Sequence, residues 1–306
     1  MKIVFMGTPD FAVGILKHLV ENNCEIVGVI TATDKAAGRG NKIQYSAVKK
    51  YALEQGLKIL QPKNLKSKAF LKELKALQAD LQVVVAFRML PAVVFELPTK
   101  GTINLHGSLL PQYRGAAPIN WAVINGEKKS GVTTFFIEQE IDTGQIIYKG
   151  ETEITENMTA GELHDLLMNQ GAEIMLKTVK AIESGNYPQT PQPQGVELKA
   201  APKIFKEDCK IDWEQLTDKV HDFIRGLSPY PAAYTVLKNK RFKIFKTTKV
   251  REKPTLSPGQ IDTDNKTFIH IATNDGYLCI KELQMEGKKR MKTEDLLRGF
   301  SFVTLK

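Results

Sequence analysis

Along the first two hundred residues, short apolar runs alternate with stretches whose apolar positions recur every three or four residues. The short runs, at 2–6, 26–31, 57–60, 82–86 and 101–106, predict strands, and the longer periodicity predicts helices near 9–20, 44–55, 67–78, 90–96 and 159–184. Strands joined through helices pair in parallel, so the order predicts an α/β domain with a mostly parallel sheet and helices on its faces. The pattern breaks at Gly185-Asn186-Tyr187-Pro188. Four prolines, Pro188, Pro191, Pro193 and Pro202, fix φ and resist helix, which predicts an extended connection over 188–206. After a helix near 212–225, β-rich runs at 233–237, 242–247, 267–272 and 277–283 predict a small closed or partly closed barrel of the OB-like kind. The expected domains are 1–187 and 207–306.

Thr8-Pro9-Asp10 reads as a helix start, with Thr8 as N-cap, Pro9 at the first helical position and Asp10 favourable to the dipole, after a tight turn at Gly7. That strand, turn and helix is Rossmann-like. Its turn holds one glycine and not GxGxxG, so the pyrophosphate of NAD or FAD is excluded. No apolar run approaches the roughly 18 residues of a spanning helix, and the N-terminus has no leader pattern. Cys24, Cys209 and Cys279 form an odd set without a CxxC pair, and the five histidines show no ligand spacing. A reduced, cytoplasmic protein without a metal is expected.

Charge adds a partner class. The 306 residues carry 43 Lys and Arg against 34 Asp and Glu, a formal net charge of +9. Residues 1–224 hold 26 of each sign, whereas 225–306 hold 17 basic and 8 acidic, so the excess lies in the last quarter. A small domain of that charge attracts polyanions, which points to nucleic acid. A merely solvated basic surface is the plainer alternative. The alternation in Arg241-Phe242-Lys243-Ile244-Phe245-Lys246 has strand period, which argues against a membrane-surface helix.

Candidate chemistry concentrates in 101–111. On a strand, Ile103 and Leu105 face one way while Asn104 and His106 share the other face. Two polar groups near the carboxyl end of a central parallel strand fall where open α/β sheets bind ligands. An edge strand with one wet face gives the same pattern. A second cluster, Ile141-Asp142-Thr143-Gly144, reads as a turn in which Gly144 permits positive φ and Asp142 is exposed; alone it is ordinary turn chemistry. Together, Asn104, His106 and Asp142 offer an amide donor, an imidazole and a carboxylate, without a serine or cysteine nucleophile. That set suits direct acyl transfer to an amine, with the donors stabilising an oxyanion and the carboxylate orienting the histidine and helping to remove a proton.

Several segments carry a resemblance. They are Phe5-Met6-Gly7-Thr8-Pro9-Asp10-Phe11-Ala12, Ala37-Gly38-Arg39-Gly40, Val84-Val85-Ala86-Phe87-Arg88-Met89-Leu90-Pro91, Asn104-Leu105-His106-Gly107-Ser108-Leu109-Leu110-Pro111, Tyr113-Arg114-Gly115-Ala116-Ala117-Pro118-Ile119 and Ile141-Asp142-Thr143-Gly144. Nearly end to end, the chain resembles the methionyl-tRNA formyltransferase family, within the 10-formyltetrahydrofolate-dependent formyltransferases and hydrolases. The resemblance implies formyl transfer by Asn104, His106 and Asp142, and a folate site lined by Ser108, Leu109, Leu110 and Pro111. It implies that backbone near Phe87 to Leu90 holds the pterin, and that the 34–42 loop inserts Arg39 at the tRNA acceptor end. The chain departs from the family pattern at Arg88-Met89, where a small residue usually follows the aromatic, and at Ala36-Ala37, where a proline is more common.

The expected reaction moves the formyl group of 10-formyltetrahydrofolate, as cosubstrate, to the α-amine of initiator methionyl-tRNA, by a monomer with no protein partner. A folate formyltransferase or hydrolase acting on a small substrate shares the trio and stays open. So does a noncatalytic RNA-binding protein, which leaves Asn104 and His106 without a use.

Overall fold

The computed structural model describes residues 1–37 and 42–302. The chain forms two compact units. One comprises residues 1–115, 131–152 and 164–200, the other 116–130, 153–163 and the chain from 201 onward. No helix among the described residues is long and apolar enough to cross a membrane.

The first unit is built on seven strands in the order Ile146–Glu153, Lys129–Phe136, Thr102–His106, Leu81–Val85, Lys2–Gly7, Glu25–Ile30 and Ile59–Leu60. From Thr102–His106 to Ile59–Leu60 the neighbours are parallel, while Lys129–Phe136 runs antiparallel to Thr102–His106. This is the mostly parallel sheet that the sequence predicts. The middle strands are covered on both faces, with Val4, Phe5 and Met6 at 0% exposure, which explains why they read as continuous apolar runs. Asp10–Glu21 buries Phe11, Ala12, Ile15, Leu16 and Leu19, one stripe of a 3.6-residue period. Ala47–Glu54 and Lys68–Ala76 start where Ser46 and Ser67 accept hydrogen bonds from Lys49 and Phe70 N–H groups.

Two local expectations are corrected. The first helix starts at Asp10, with Pro9 in place of Thr8 as its N-cap: the Pro9 carbonyl accepts the Ala12 and Val13 N–H groups, and no side-chain hydrogen bond caps the start. Gly7, expected in a tight turn, is the last residue of its strand and has no positive φ. A Cβ there would lie 2.6 Å from that of Ala12, so the glycine lets the helix approach. The sequence reading also missed a hairpin, in which Lys35–Ala37 pairs antiparallel with Lys42–Gln44. At its base the Asp34 carboxylate accepts from Lys49 Nζ at 2.6 Å and Gln61 Nε2 at 2.9 Å. Those two donors hold the Asp34 carboxyl below its ordinary value. Arg39 lies outside the described residues.

In the second unit, an antiparallel sheet runs in the order Ala233–Leu237, Lys240–Val250, Tyr277–Met285, His270–Ala272 and Ile261–Asp262, with Met291–Lys292 beside Tyr277–Met285. The helix Thr217–Leu227 packs Val220 and Ile224 into a core with Trp213, Phe242, Ile271 and Leu278. Pro118–Ile124 joins this unit, its Asn120 Nδ2 donating to the Gly226 carbonyl at 2.7 Å. Arg225 is 3% exposed. Its Nε meets Asp222 Oδ1 at 2.7 Å and its Nη1 donates to the Met158 carbonyl at 2.8 Å, so this cation is structural.

Candidate active site

Thr102–His106 is interior, bonded to Leu81–Val85 on one side and Lys129–Phe136 on the other, which removes the edge-strand alternative. Asn104 lies opposite Val84 and Phe135, and His106 opposite Thr133. The strand's alternation puts both polar side chains on one face. His106 is 6% exposed, so its ring nitrogens need partners within the protein. Nε2 lies 2.8 Å from the Tyr113 carbonyl oxygen. A carbonyl only accepts, so Nε2 carries a hydrogen, and Nδ1 faces Asp142 Oδ2 at 3.7 Å. The imidazole and carboxylate, 36 residues apart in the chain, therefore meet in one unit. Among the described residues nothing hydrogen-bonds the side-chain amide of Asn104, which is partly buried and keeps its donors available.

Asp142 is held in an uncommon conformation. Its φ is +55°, in the left-handed region that costs a non-glycine residue energy. Oδ2 accepts the Gly115 N–H at 3.0 Å, and the Asp142 carbonyl accepts from Gln192 Nε2 at 2.8 Å. The positive φ expected of Gly144 thus belongs to Asp142. Gly144 is required for a different reason: a Cβ there would fall 1.7 Å from the Phe136 carbonyl oxygen. Asp142 is also less exposed than a turn tip would be, with its side chain at 11%.

The segment Ser108-Leu109-Leu110-Pro111 presents backbone more than side chains. Ser108, Leu110 and Pro111 are buried, and Leu109 is half-buried. Ser108 Oγ donates to the Gln112 carbonyl at 2.6 Å. Thr133 Oγ1 donates to the Ser108 carbonyl at 2.7 Å and accepts the Leu110 N–H at 3.1 Å, bridging the loop from the neighbouring strand. Lys149 Nζ donates to the Leu110 carbonyl at 2.5 Å, and burial pushes this ammonium below its ordinary value. Arg88 turns back, its guanidinium donating to the carbonyls of Pro62 and Lys63, so the unusual residue after Phe87 ties its own loop to the 62–63 turn. The sequence reading missed Thr133, Lys149 and Gln192. Thr133 is one of several β-branched residues in its strand, and Gln192 sits between two prolines in a segment read as a bare connection.

In the second unit, several of the excess cations are engaged. Lys249 meets Glu156 and Asp218, Arg251 meets Asp218, and Arg290 meets Glu282 while lying over the Phe245 ring. Lys240, Arg241, Lys288, Lys289 and Lys292 are exposed. The register Phe242↔Met285, continued by the Glu286 N–H to the Arg241 carbonyl, brings Lys240-Arg241 to the sheet end that carries Lys288-Lys289.

Residues 1–179 match the formyl transferase family and 203–301 match the formyl transferase C-terminal domain. A methionyl-tRNA formyltransferase of Bacteroides fragilis is 53% identical over 98% of this chain and 95% of its own length. One from Flavobacterium johnsoniae is 54% identical over 99% of this chain and 97% of its own. The chain belongs to the methionyl-tRNA formyltransferase family. Among solved structures, an N-formyltransferase from Helicobacter canadensis, in complex with folinic acid and dTDP-3-aminofucose, shares the fold of this formyltransferase at a TM-score of 0.66. It is 20% identical over 95% of this chain and 100% of its own. HypX from Aquifex aeolicus, in complex with tetrahydrofolic acid, matches at a TM-score of 0.67 and 19% identity over 97% of this chain, which spans 47% of that protein.

Proposed function

We propose that this formyltransferase moves the formyl group of 10-formyltetrahydrofolate to the α-amine of methionine esterified to initiator tRNA, acting as a cytoplasmic monomer. The near full-length identity of about half to named methionyl-tRNA formyltransferases carries this reading. The site chemistry supports it. Direct transfer to an amine needs donors for the charge that builds on the formyl oxygen and a group to take up the amine's proton.

In our reading, Asn104 supplies the first, through an amide whose donors no described residue uses. His106 supplies the second donor or the proton relay. Its Nε2–H is already committed to the Tyr113 carbonyl, so Nδ1 is the nitrogen left to exchange a proton with the reacting centre. Asp142 stabilises the imidazolium when Nδ1 is protonated, and its 3.7 Å separation leaves room for adjustment as charge develops. The 108–111 backbone, fixed by Thr133 and Lys149, forms the wall against which the folate rests. Arg39 reaches the acceptor end of the tRNA, and the exposed lysines and Arg241 of the second unit attract its phosphates.

Purified protein supplied with 10-formyltetrahydrofolate and methionyl-tRNA should yield formylmethionyl-tRNA, with initiator tRNA preferred over elongator. No turnover on methionyl-tRNA, together with turnover on a sugar-nucleotide amine, would replace this reading with the small-substrate one.

A further inference from the structure

The segment after Gly185 reads in sequence as a bare connection, and neither family match covers residues 180–202. In the structure its Gln192 is only 9% exposed. Nε2 donates to the carbonyls of Asp142 and Gly144, at 2.8 and 3.0 Å, while Oε1 accepts from Arg114 Nη2 at 2.6 Å. Both ends of the amide are therefore used. The flanking residues act in the same direction. Thr190 and Ile146 exchange backbone hydrogen bonds of 2.8 and 2.9 Å, which anchors the segment just past Gly144. The Lys199 carbonyl accepts the Tyr113 N–H at 2.7 Å, next to the carbonyl that receives His106 Nε2.

We propose that Gln192, held by Arg114, is a positioning residue that sets the Asp142 carboxylate against His106. A left-handed non-glycine conformation persists only where its surroundings over-determine it, and Gln192 fixes two carbonyls of that turn at once. Glutamine is specific to the task. Leucine offers neither bond, and glutamate keeps the Arg114 contact but turns an acceptor toward two carbonyl oxygens. This inference rests on the reading of His106 and Asp142 given under Proposed function.

The test compares full-length wild type, Gln192→Leu, Gln192→Glu, Asp142→Asn and the Gln192→Leu/Asp142→Asn double variant in methionyl-tRNA formylation. Melting temperature is measured alongside. Gln192→Leu should lower kcat roughly tenfold to a hundredfold, the loss expected of a catalytic group displaced by up to about an ångström, with KM for either substrate within about twofold of wild type. Gln192→Glu, which retains the Arg114 contact but loses both carbonyl bonds, should melt below wild type and, assayed well below its own melting temperature, still lose turnover. In the Asp142→Asn background, Gln192→Leu should cost nothing further. Wild-type kcat in Gln192→Glu, a loss confined to KM, or an equal loss in both backgrounds would overturn the proposal. The underlying reading fails separately: inactive wild type removes the function, and a fully active Asp142→Asn removes the carboxylate's role.

Discussion

Thr133→Val tests whether the wall of the site is held by the hydroxyl that bridges it. Valine matches threonine in shape, so the change deletes two hydrogen bonds without opening a cavity. The hydroxyl is 0% exposed, as is Leu110, whose N–H it accepts at 3.1 Å, and it donates to the Ser108 carbonyl at 2.7 Å. Water does not reach either group in its place. Each buried polar group left unpaired costs about 1–3 kcal/mol, so the pair should cost about 3 kcal/mol. At 2–4 °C per kcal/mol for a unit of this size, the melting temperature should fall by roughly 6–12 °C. Thr133→Ser keeps the hydroxyl and loses one methyl group, a change of about 1 kcal/mol. Thermal melts monitored by circular dichroism give the first readout, and KM for 10-formyltetrahydrofolate the second, expected to rise in Val and not in Ser. A Val variant that melts within about 2 °C of wild type with unchanged KM would refute the argument.

Further outcomes follow from the same geometry. His106→Ala should fold and lose kcat roughly 100- to 1,000-fold, the loss typical of one removed oxyanion donor, measured under saturating substrates; near-normal turnover would end its assignment. The KM for methionyl-tRNA should rise roughly tenfold or more between about 50 and 200 mM salt through counterion release, and Lys288→Glu/Lys289→Glu should flatten that slope. His221 titrates below its ordinary value, first because it is buried, then because Lys249 and Arg225 oppose its charging more than Asp222 favours it, while Nδ1 bonds Thr247. A depressed folded value means that its contribution to stability is complete above the unfolded pKa of about 6.5 and is lost as pH falls through the folded one. His221→Asn should therefore melt with a shallower pH dependence than wild type between about pH 7 and 5, and parallel curves would contradict this.

Much of the first unit is legible from pattern, because parallel strands buried on both faces write unbroken apolar runs and the helices between them write a stripe. The Asn104 and His106 pair is legible for the same reason: period two puts them together, and polar groups stand out in a strand that should be apolar. The groups that hold the surrounding loops, and the one that holds the imidazole, are not legible. Thr133, Gln192 and the Tyr113 carbonyl act through backbone geometry or through positions far away in sequence, and nothing in their residue types marks them. Gly144 shows the reverse case. The glycine was visible and its use misjudged, since the constraint is a neighbouring carbonyl and not its own φ. Arg225, counted in sequence with the basic excess, proved to be an internal tie.

The second unit draws residues 116–130 and 153–163 from upstream of its main segment, which starts at residue 201. Its Arg225 grips the Met158 carbonyl, and its Gly226 carbonyl receives Asn120. A fragment cut out at the proline-rich stretch would begin life without a helix and a loop of its own, and with a guanidinium that keeps Asp222 but has lost its Met158 acceptor. Transplanting this module into another protein would thus require threading three separate strips of sequence, where a single scissor cut looks sufficient on paper.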